Sequence, residues 1–456
     1  MTTIESRSPQ APSDLVVRVP DTSPETVSAA ADAARAAAIG WARGPAHARA
    51  AALHACAEAV AAATGELTDL VVREVGKPLG EAGAEIGRGV AILRYFAQQA
   101  LHPEGEVYPP SDGVSLLHTR RRPHGVVGLI TPWNFPVAIP LWKAAPALAF
   151  GNAVLLKPAP QSSAVALRLA ELFTGVLPHG VLTVLTGLGG TGEAIVDAAD
   201  AVSFTGSVAA GQAVARRAVE RGVPAQCEMG GQNAAIVLAD SDLDAAATAI
   251  AAAAMGYAGQ KCTATSRVIV VGDSASFAER LAAAVEALPV GDPADPATVV
   301  GPLIESRPRE AIRAAVRRAE AGGARVLTSA RQPDGAGWFQ SPTLLANVPP
   351  GDDLRYEEHF GPVCVVLPAE SADAAARVAN EVRYGLVAGV YTRNLGAALR
   401  LANQLEVGMV KVNAPTTGVD FHAPFGGEKE SSYGPREQGT AARDFYTRTV
   451  TITLTP

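Results

Sequence analysis

The spacing of apolar and polar positions changes character near residue 125. Upstream, residues 24–63 are Ala-rich with scattered Arg, Glu and His, a pattern that predicts two helices. Thr64–Val75 predicts a third, stopped at Gly76-Lys77-Pro78, and residues 81–100 a fourth. The stretch 102–112, with His-Pro, Gly and Pro-Pro, reads as a loop, and 114–122 as a strand. Downstream, Val126–Ile130 is a short apolar run of the kind a parallel strand buried on both faces requires. It ends at Thr131-Pro132-Trp133-Asn134-Phe135-Pro136, where two prolines disfavour regular structure. Helix Ala138–Ala149, strand Ala153–Lys157, a helix over 164–174 and strands over 181–186 and 201–204 follow. A second such series has strands at 233–239, 266–271, 363–367, 386–391 and 408–413. Strand alternating with helix means parallel sheets with helices on their faces, and ligands bind at the C-terminal ends of such strands. Asn134, Lys157, Gly189 and Ser207 fall at those ends.

The two ends of the chain read differently. The first dozen residues, with Ser, Pro and Thr, look like a frayed tail. Thr447–Leu454 alternates Thr with Val, Ile or Leu, a half-exposed strand with no partner nearby in sequence, so it is expected to pair with another subunit.

Length, composition and charge narrow the class. At 456 residues the chain exceeds one ordinary core and implies two or three domains. A net charge of −7 argues against nucleic-acid binding, and Arg120-Arg121-Arg122 alone makes no basic face. No apolar stretch reads as a membrane span or a secretory signal. Cys56, Cys227, Cys262 and Cys364 are far apart, so neither a disulfide framework nor a metal site is expected, and free thiols fit a cytoplasmic protein.

Candidate chemistry concentrates at Gly259-Gln260-Lys261-Cys262, after an Ala-rich run over 245–257. A Cys after a glycine-containing turn can present sulfur to a cleft, and Glu228 can prepare a water to attack whatever the sulfur captures. The bland reading of Cys262, a small buried hydrophobe, stands beside it. Asn134, between two prolines, is an Asx-turn residue or an amide donor for an oxyanion. Gly187-Leu188-Gly189-Gly190-Thr191-Gly192 matches a GxGxxG pattern but lacks the acidic residue at the end of the next strand; turn glycines and cofactor contact stay equally open. Gly206-Ser207, opening a helix, is a better pyrophosphate seat.

Taken in order, Pro132-Trp133-Asn134-Phe135-Pro136, Lys157-Pro158-Ala159, Phe204-Thr205-Gly206-Ser207, Glu228-Met229-Gly230-Gly231, Gly259-Gln260-Lys261-Cys262, Glu358-His359-Phe360-Gly361-Pro362 and Pro424-Phe425-Gly426-Gly427 resemble the NAD(P)-dependent aldehyde dehydrogenase superfamily. The resemblance runs from about residue 14, with a shorter N-terminus than usual, lacking the family's opening strand segment. It implies an α/β, aldehyde dehydrogenase-like fold of two parallel-sheet α/β domains plus a small β oligomerisation element. Residues 1–101 and 124–230 would form the dinucleotide-binding domain, 231–433 the catalytic domain, and 102–123 with 434–456 the oligomerisation element of a homodimer or homotetramer. It implies Cys262 as nucleophile, Asn134 as oxyanion donor and Glu228 as the base that hydrolyses the thioester to a free acid. NAD or NADP would be held by Ile130, Pro132, Trp133, Lys157, Gly189, Gly192, Phe204, Gly206, Ser207, Met229, Gly230, Glu358 and Phe360. Lys143 and Glu437 match positions linked to a proton path or site support. Pro160 stands where NAD-preferring members often carry Glu, which leaves NADP use open, and Ser432 stands where Gly is usual, which bears on the shape of that turn. The segments around Trp142-Lys143, Phe421-His422-Ala423-Pro424 and Ser431-Ser432-Tyr433 are similar to one group of α-ketoglutarate-semialdehyde dehydrogenases. Trp142 and Phe421 are then candidate walls of the aldehyde tunnel, or plain core aromatics. A dehydrogenase for another small aldehyde, a cofactor-independent esterase using Cys262 and a non-catalytic binding protein are the alternatives.

Overall fold

A computed structural model describes residues 2–330 and 335–456. The chain forms two main sheets. The first has six strands in the order Ser432–Tyr433, Ala225–Glu228, Ala201–Thr205, Val126–Ile130, Ala153–Lys157, Leu182–Val184. All its pairings are parallel except the antiparallel edge of Ser432–Tyr433 on Ala225–Glu228. The second has seven, in the order Arg325–Val326, Thr343–Ala346, Val363–Ala369, Thr265–Val271, Asn233–Val237, Val387–Tyr391, Met409–Val412. Only Arg325–Val326 is antiparallel there. The central strands Val126–Ile130, Ala153–Lys157 and Asn233–Val237 are buried at every position, which is why they read as unbroken apolar runs.

The expected helices lie at Pro24–Arg43, Ala46–Ala62, Thr64–Val75, Leu79–Gln99 and Ala138–Ala149. Gly76, at φ +66, ends the third by taking a left-handed conformation that side chains resist. Their packed core includes Leu53, Ile86, Leu93, Phe96, Leu129 and Leu141.

Both chain ends correct the sequence reading. The first dozen residues are not a frayed tail, and the opening strand is not missing. Thr3–Arg7 is a strand paired antiparallel with Leu15–Pro20. Ile4 and Ser6 alternate inward, and Glu5 accepts from both Arg7 and Arg18. The C-terminal strand Thr447–Leu454 finds its partner within the chain. It pairs antiparallel with Leu116–Pro123 in a three-stranded sheet completed by Val107–Tyr108. That pairing joins segments far apart in sequence, so no local pattern reveals it. The other edge of Thr447–Leu454 stays unpaired. No helix among the described residues is long and apolar enough to cross a membrane.

One buried ion pair ties the helical layer to the site. Lys77 and Glu85 have side chains 0% and 1% exposed and are bonded to each other. Burial pushes the Lys77 amine below its ordinary range, and Glu85 opposes that shift. Glu85 Oε1 also accepts the backbone N–H groups of Val137 and Ala138 at 2.8 and 2.9 Å. It thereby caps helix Ala138–Ala149, which has no cap of its own. Lys77 Nζ sits 3.8 Å from the ring centroid of Phe135 and 4.8 Å from that of Tyr257. Replacing Lys77 by Met is expected to lower stability by ~3–5 kcal/mol, because Glu85 is left as an uncompensated buried charge. Adding Glu85→Gln recovers part of that loss. Urea unfolding of the single and double variants checks both statements, and an unchanged midpoint for Lys77→Met contradicts them.

Candidate active site

Cys262 sits on a turn between helix Leu243–Met255 and strand Thr265–Val271. Within that turn Tyr257 and Ala258 take φ of 54° and 52°, a left-handed conformation costing ~1–2 kcal/mol for each residue with a side chain. Tertiary contacts hold it. Tyr257 is wholly buried, its hydroxyl donates to the Val75 carbonyl at 3.3 Å, and its N–H donates to the Val299 carbonyl at 3.0 Å. After the turn, Asn233 Nδ2 donates to the carbonyls of Cys262 and Ala264 at 2.7 and 2.8 Å. Cys262 is half-buried, while Cys56, Cys227 and Cys364 are buried.

Asn134 comes from the Pro-flanked turn after Val126–Ile130. Its Nδ2 donates to the Gln260 carbonyl at 2.9 Å, two residues before Cys262. An amide nitrogen carries two hydrogens. One is committed to Gln260, and the other is the group an oxyanion on a Cys262 adduct would use.

Two cavities meet at Cys262, and Cys262 and Ile139 belong to the walls of both. The first, of about 230 Å³, is lined by Pro132, Trp133, Asn134, Thr205, Gly206, Ser207, Met229, Gly230, Glu358 and Phe360 besides those two. Eight expected cofactor positions therefore share one wall. Ile130 and Phe204 lie in the core cluster that also holds Met229. Lys157 is buried, and a side chain on Gly192 would press against its stem and Ile130. Gly189 is exposed at the start of helix Gly189–Ala198 and away from both cavities. Ser207 caps helix Val208–Arg221 by accepting from the Ala210 N–H.

Burial tunes both Lys157, which is not part of either cavity wall, and Glu358 in the wall of the first cavity. Lys157 Nζ donates to the Pro158 carbonyl at 3.1 Å, and desolvation pushes the amine down to about 8. Glu358 Oε1 accepts from the Gly231 N–H at 2.9 Å, yet burial raises its carboxyl to about 7. The close approach of Glu358 requires glycine at 230, since a Cβ there would overlap its carboxylate. Trp133 and Phe360 meet edge to face at 5.8 Å.

The second cavity, of about 200 Å³, is lined by Glu81, Ala84, Glu85, Arg88, Phe135, Ile139, Trp142, Lys261, Cys262, Thr263, Thr417, Gly418, Val419 and Phe425. Trp142 is in its wall, tilted against Phe425 with ring centroids 5.7 Å apart. Phe421 is not. It packs edge to face on Tyr95 at 5.7 Å, so Phe425 takes the place expected of Phe421. Sequence reading also missed Arg88. The available signal was helical spacing, because Glu81, Glu85 and Arg88 sit at i, i+4 and i+7 and share one face of Leu79–Gln99.

Glu228, at the end of Ala225–Glu228, is 2% exposed and lines neither cavity. Its buried carboxylate is close enough to Cys262 to oppose a thiolate there. Glu228 Oε2 accepts from Ser432 Oγ at 2.6 Å, and Oε1 has no partner among the described residues. Nearby, Lys143 is ion-paired with Glu437 and donates to Ser203 Oγ at 2.8 Å. Burial first, and the Glu437 charge second, hold the Glu228 carboxyl well above the usual carboxylate range. Burial, with Glu358 and Glu228 adding repulsion, pushes the Cys262 thiol up to about 12. The thiol is therefore neutral at pH 7 and must lose its proton on the way to any adduct. Among the described residues no cluster of three or more His, Cys, Asp or Glu is gathered to hold a metal ion.

Comparison with known proteins agrees with this geometry. The model of the aldehyde dehydrogenase family matches residues 1–452. The chain is 40% identical over 400 residues to the α-ketoglutaric semialdehyde dehydrogenase of Bacillus subtilis (strain 168), covering 86% of this chain and 82% of that protein. It is 40% identical over 397 residues to the α-ketoglutarate semialdehyde dehydrogenase of Haloferax volcanii, covering 85% and 82%. Among solved structures, betaine aldehyde dehydrogenase from Staphylococcus aureus in complex with NAD+ superposes with a TM-score of 0.95 at 30% identity, covering 99% of this chain and 91% of that one. NADP-dependent glyceraldehyde-3-phosphate dehydrogenase from Bacillus halodurans C-125, complexed with NADP, gives 0.95 at 32% identity, covering 100% and 96%. A family model that matches nearly the whole chain, together with relatives 40% identical over more than four fifths of it, shows that the chain belongs to the aldehyde dehydrogenase family.

Proposed function

We propose that this protein oxidises a carboxylate-bearing semialdehyde, of the α-ketoglutarate semialdehyde type, to the free acid with NAD or NADP. The observation that carries the substrate class is Arg88. Its Nη1 donates to the Val419 carbonyl, and among the described residues no Asp or Glu pairs with it. The other charges in that wall are matched: Lys261 pairs with Glu81 at 2.8 Å, and Glu85 with Lys77. Lys411 adds a second cation beside the same strip, donating to the Thr417 carbonyl at 2.8 Å, with Asp420 as its opposing charge. The aldehyde cavity therefore carries an unmatched guanidinium, which suits a substrate with a carboxylate at the end remote from its aldehyde. The similarity to two α-ketoglutarate semialdehyde dehydrogenases supports the same reading.

The first cavity fits a nicotinamide dinucleotide. Lys157, outside that cavity's wall, is a buried cation that no Asp or Glu among the described residues pairs, suited to ribose hydroxyls or phosphate. The start of helix Val208–Arg221 offers N–H groups to a pyrophosphate. Glu358, brought close by the bare Gly230, suits a ribose diol. Pro160 supplies no carboxylate to repel a 2′-phosphate, so NADP is accommodated beside NAD. When bound, the nicotinamide supplies the hydride acceptor.

The residues of the chain do the rest. Cys262 Sγ, once deprotonated, bonds to the aldehyde carbon, and the carbonyl π electrons move to oxygen. The Asn134 amide and the Cys262 backbone N–H stabilise that oxyanion. Loss of hydride from the carbon leaves a thioester. Glu228 takes a proton from water, the hydroxyl oxygen bonds to the acyl carbon, and the C–S bond breaks with Sγ leaving as thiolate. Burial of Glu228 keeps it basic enough for that task.

Assembly as a homodimer or homotetramer is part of the same reading, supported by the open edge of Thr447–Leu454. Removing residues 447–456 is expected to reduce the mass measured by light scattering to that of the monomer. An unchanged mass contradicts this. The function is tested by reduced-cofactor formation over an aldehyde panel, run separately with NAD and NADP. α-Ketoglutarate and succinate semialdehydes are expected to outperform betaine aldehyde and neutral aliphatic aldehydes. Arg88→Gln should raise KM for the preferred semialdehyde about 10- to 100-fold, as loss of a charge-assisted contact implies, and change KM for a neutral aldehyde less than about twofold. A wild-type preference for neutral or cationic aldehydes sinks the substrate class.

A further inference from the structure

We infer that Ser432 is a positioning residue for the general base: its hydroxyl seats the Glu228 carboxylate near Cys262 and keeps it oriented for deacylation. The inference rests on the aldehyde dehydrogenase reading of Cys262 and Glu228 given above.

Three features carry it. First, Ser432 lies directly opposite Glu228 in the antiparallel pairing of Ser432–Tyr433 with Ala225–Glu228. Side chains at paired positions emerge on the same face within bonding reach, so a hydroxyl at 432 meets a carboxylate at 228, and a glycine there would leave it without this partner. Second, the hydroxyl has a fixed direction. Ser432 Oγ accepts the Gly427 N–H at 2.6 Å, and its own hydrogen points at Glu228 Oε2, also at 2.6 Å. This arrangement matches an ionised Glu228, which only accepts. Third, the turn that carries Ser432 is anchored on both sides. Ser431 Oγ donates to the Gly230 carbonyl at 2.8 Å and accepts the Gly385 N–H at 2.9 Å, and the Ser431 carbonyl accepts the Met229 N–H at 2.8 Å. The serine is thus held by backbone that also borders the first cavity.

The seat leaves Glu228 room to act. Its Oε1 has no partner among the described residues, and it lies 2.8 Å from where a Cβ on Gly426 would stand, so the bare Gly426 makes space for the carboxylate. The charged and titratable groups around Glu228 come from every neighbouring element. Lys143 belongs to helix Ala138–Ala149, and Arg436 and Glu437 to the segment after the turn. Cys227 lies on the same strand, and Cys262 on the facing turn. Burial and Glu437 favour the protonated acid, while Ser432, Lys143 and Arg436 favour the carboxylate. Ser432 is the neutral member of that second group that bonds Glu228 directly.

The test follows decay of the acyl-enzyme in single turnovers of the full-length enzyme with bound cofactor and its preferred aldehyde, across pH. Ser432→Ala and Ser432→Gly are expected to leave the rate of reduced-cofactor formation within about twofold. Both should move the pH midpoint of acyl-enzyme decay upward by about one unit, the shift expected on losing one hydrogen bond to a charged group. Near neutral pH, decay slows by up to about tenfold, and it recovers in alkali. Ser432→Thr, which keeps the hydroxyl, restores the wild-type midpoint. A wild-type midpoint in both Ala and Gly variants overturns the inference, as does a shifted midpoint in Thr equal to that in Ala. The glycine variant keeps the test open should the alanine variant fold poorly. Absence of any acyl-enzyme in the wild type defeats the underlying functional reading instead, so the two failures are distinguishable.

Discussion

The site depends on a charge pair that touches no substrate-facing nucleophile. Lys77 and Glu85 are sealed from water, and each is satisfied by parts of the site rather than by its own helix. Glu85 fixes the start of Ala138–Ala149, and Lys77 lies under Phe135 and Tyr257. Phe135 adjoins Asn134, and Tyr257 carries the left-handed turn that leads to Cys262. Asn134 and Cys262 come from segments more than a hundred residues apart, yet rings in those two segments pack on the same buried cation. A strained turn persists only where its surroundings over-determine it, and this pair, with the Val75 and Val299 carbonyls, provides that determination.

A second constraint is the amount of desolvated negative charge near one thiol. Glu228, Glu358 and Glu437 all contribute repulsion at Cys262, which together with burial pushes the thiol up. The same desolvation raises Glu228 and Glu358. Lys143 pairs with Glu437, and among the described residues Glu228 has no ion-pair partner and is bonded by a serine hydroxyl. A resting cysteine that stays neutral and a base that stays basic are two results of one environment. The cavity walls divide the work further: the first carries the buried Glu358, and the second carries Arg88, which no Asp or Glu among the described residues pairs.

Much of the fold was legible because it is written in local pattern. Val126–Ile130 and Ala153–Lys157 are uninterrupted apolar runs, and a strand buried on both faces has no other way to read. The ordered motifs named Cys262, Asn134 and Glu228, and the structure brings Cys262 and Asn134 to one junction with Glu228 close by. What escaped was non-local or unmarked. Thr3–Arg7 pairs with the nearby Leu15–Pro20 but is too short for its alternation to stand out, whereas Thr447–Leu454 pairs across most of the chain, so its partner could not be read from neighbours. Arg88 belongs to no motif and becomes visible only once Leu79–Gln99 is placed over the cavity. Phe421 and Phe425 are four residues apart in one loop, and only the packing of Phe421 on Tyr95 separates wall from support. Ser432 stood out as a departure from the family pattern, but its meaning lies in its register against Glu228.

The central claim is that Cys262 carries the acyl group and Glu228 removes it. The most direct measurement is intact-protein and peptide mass spectrometry of Glu228→Gln after brief exposure to cofactor and semialdehyde. The account predicts an adduct on the peptide containing Cys262, heavier by the acid product less one water, that persists in the variant and is released by hydroxylamine. An unmodified Cys262 peptide under conditions in which the variant still reduces cofactor would contradict it.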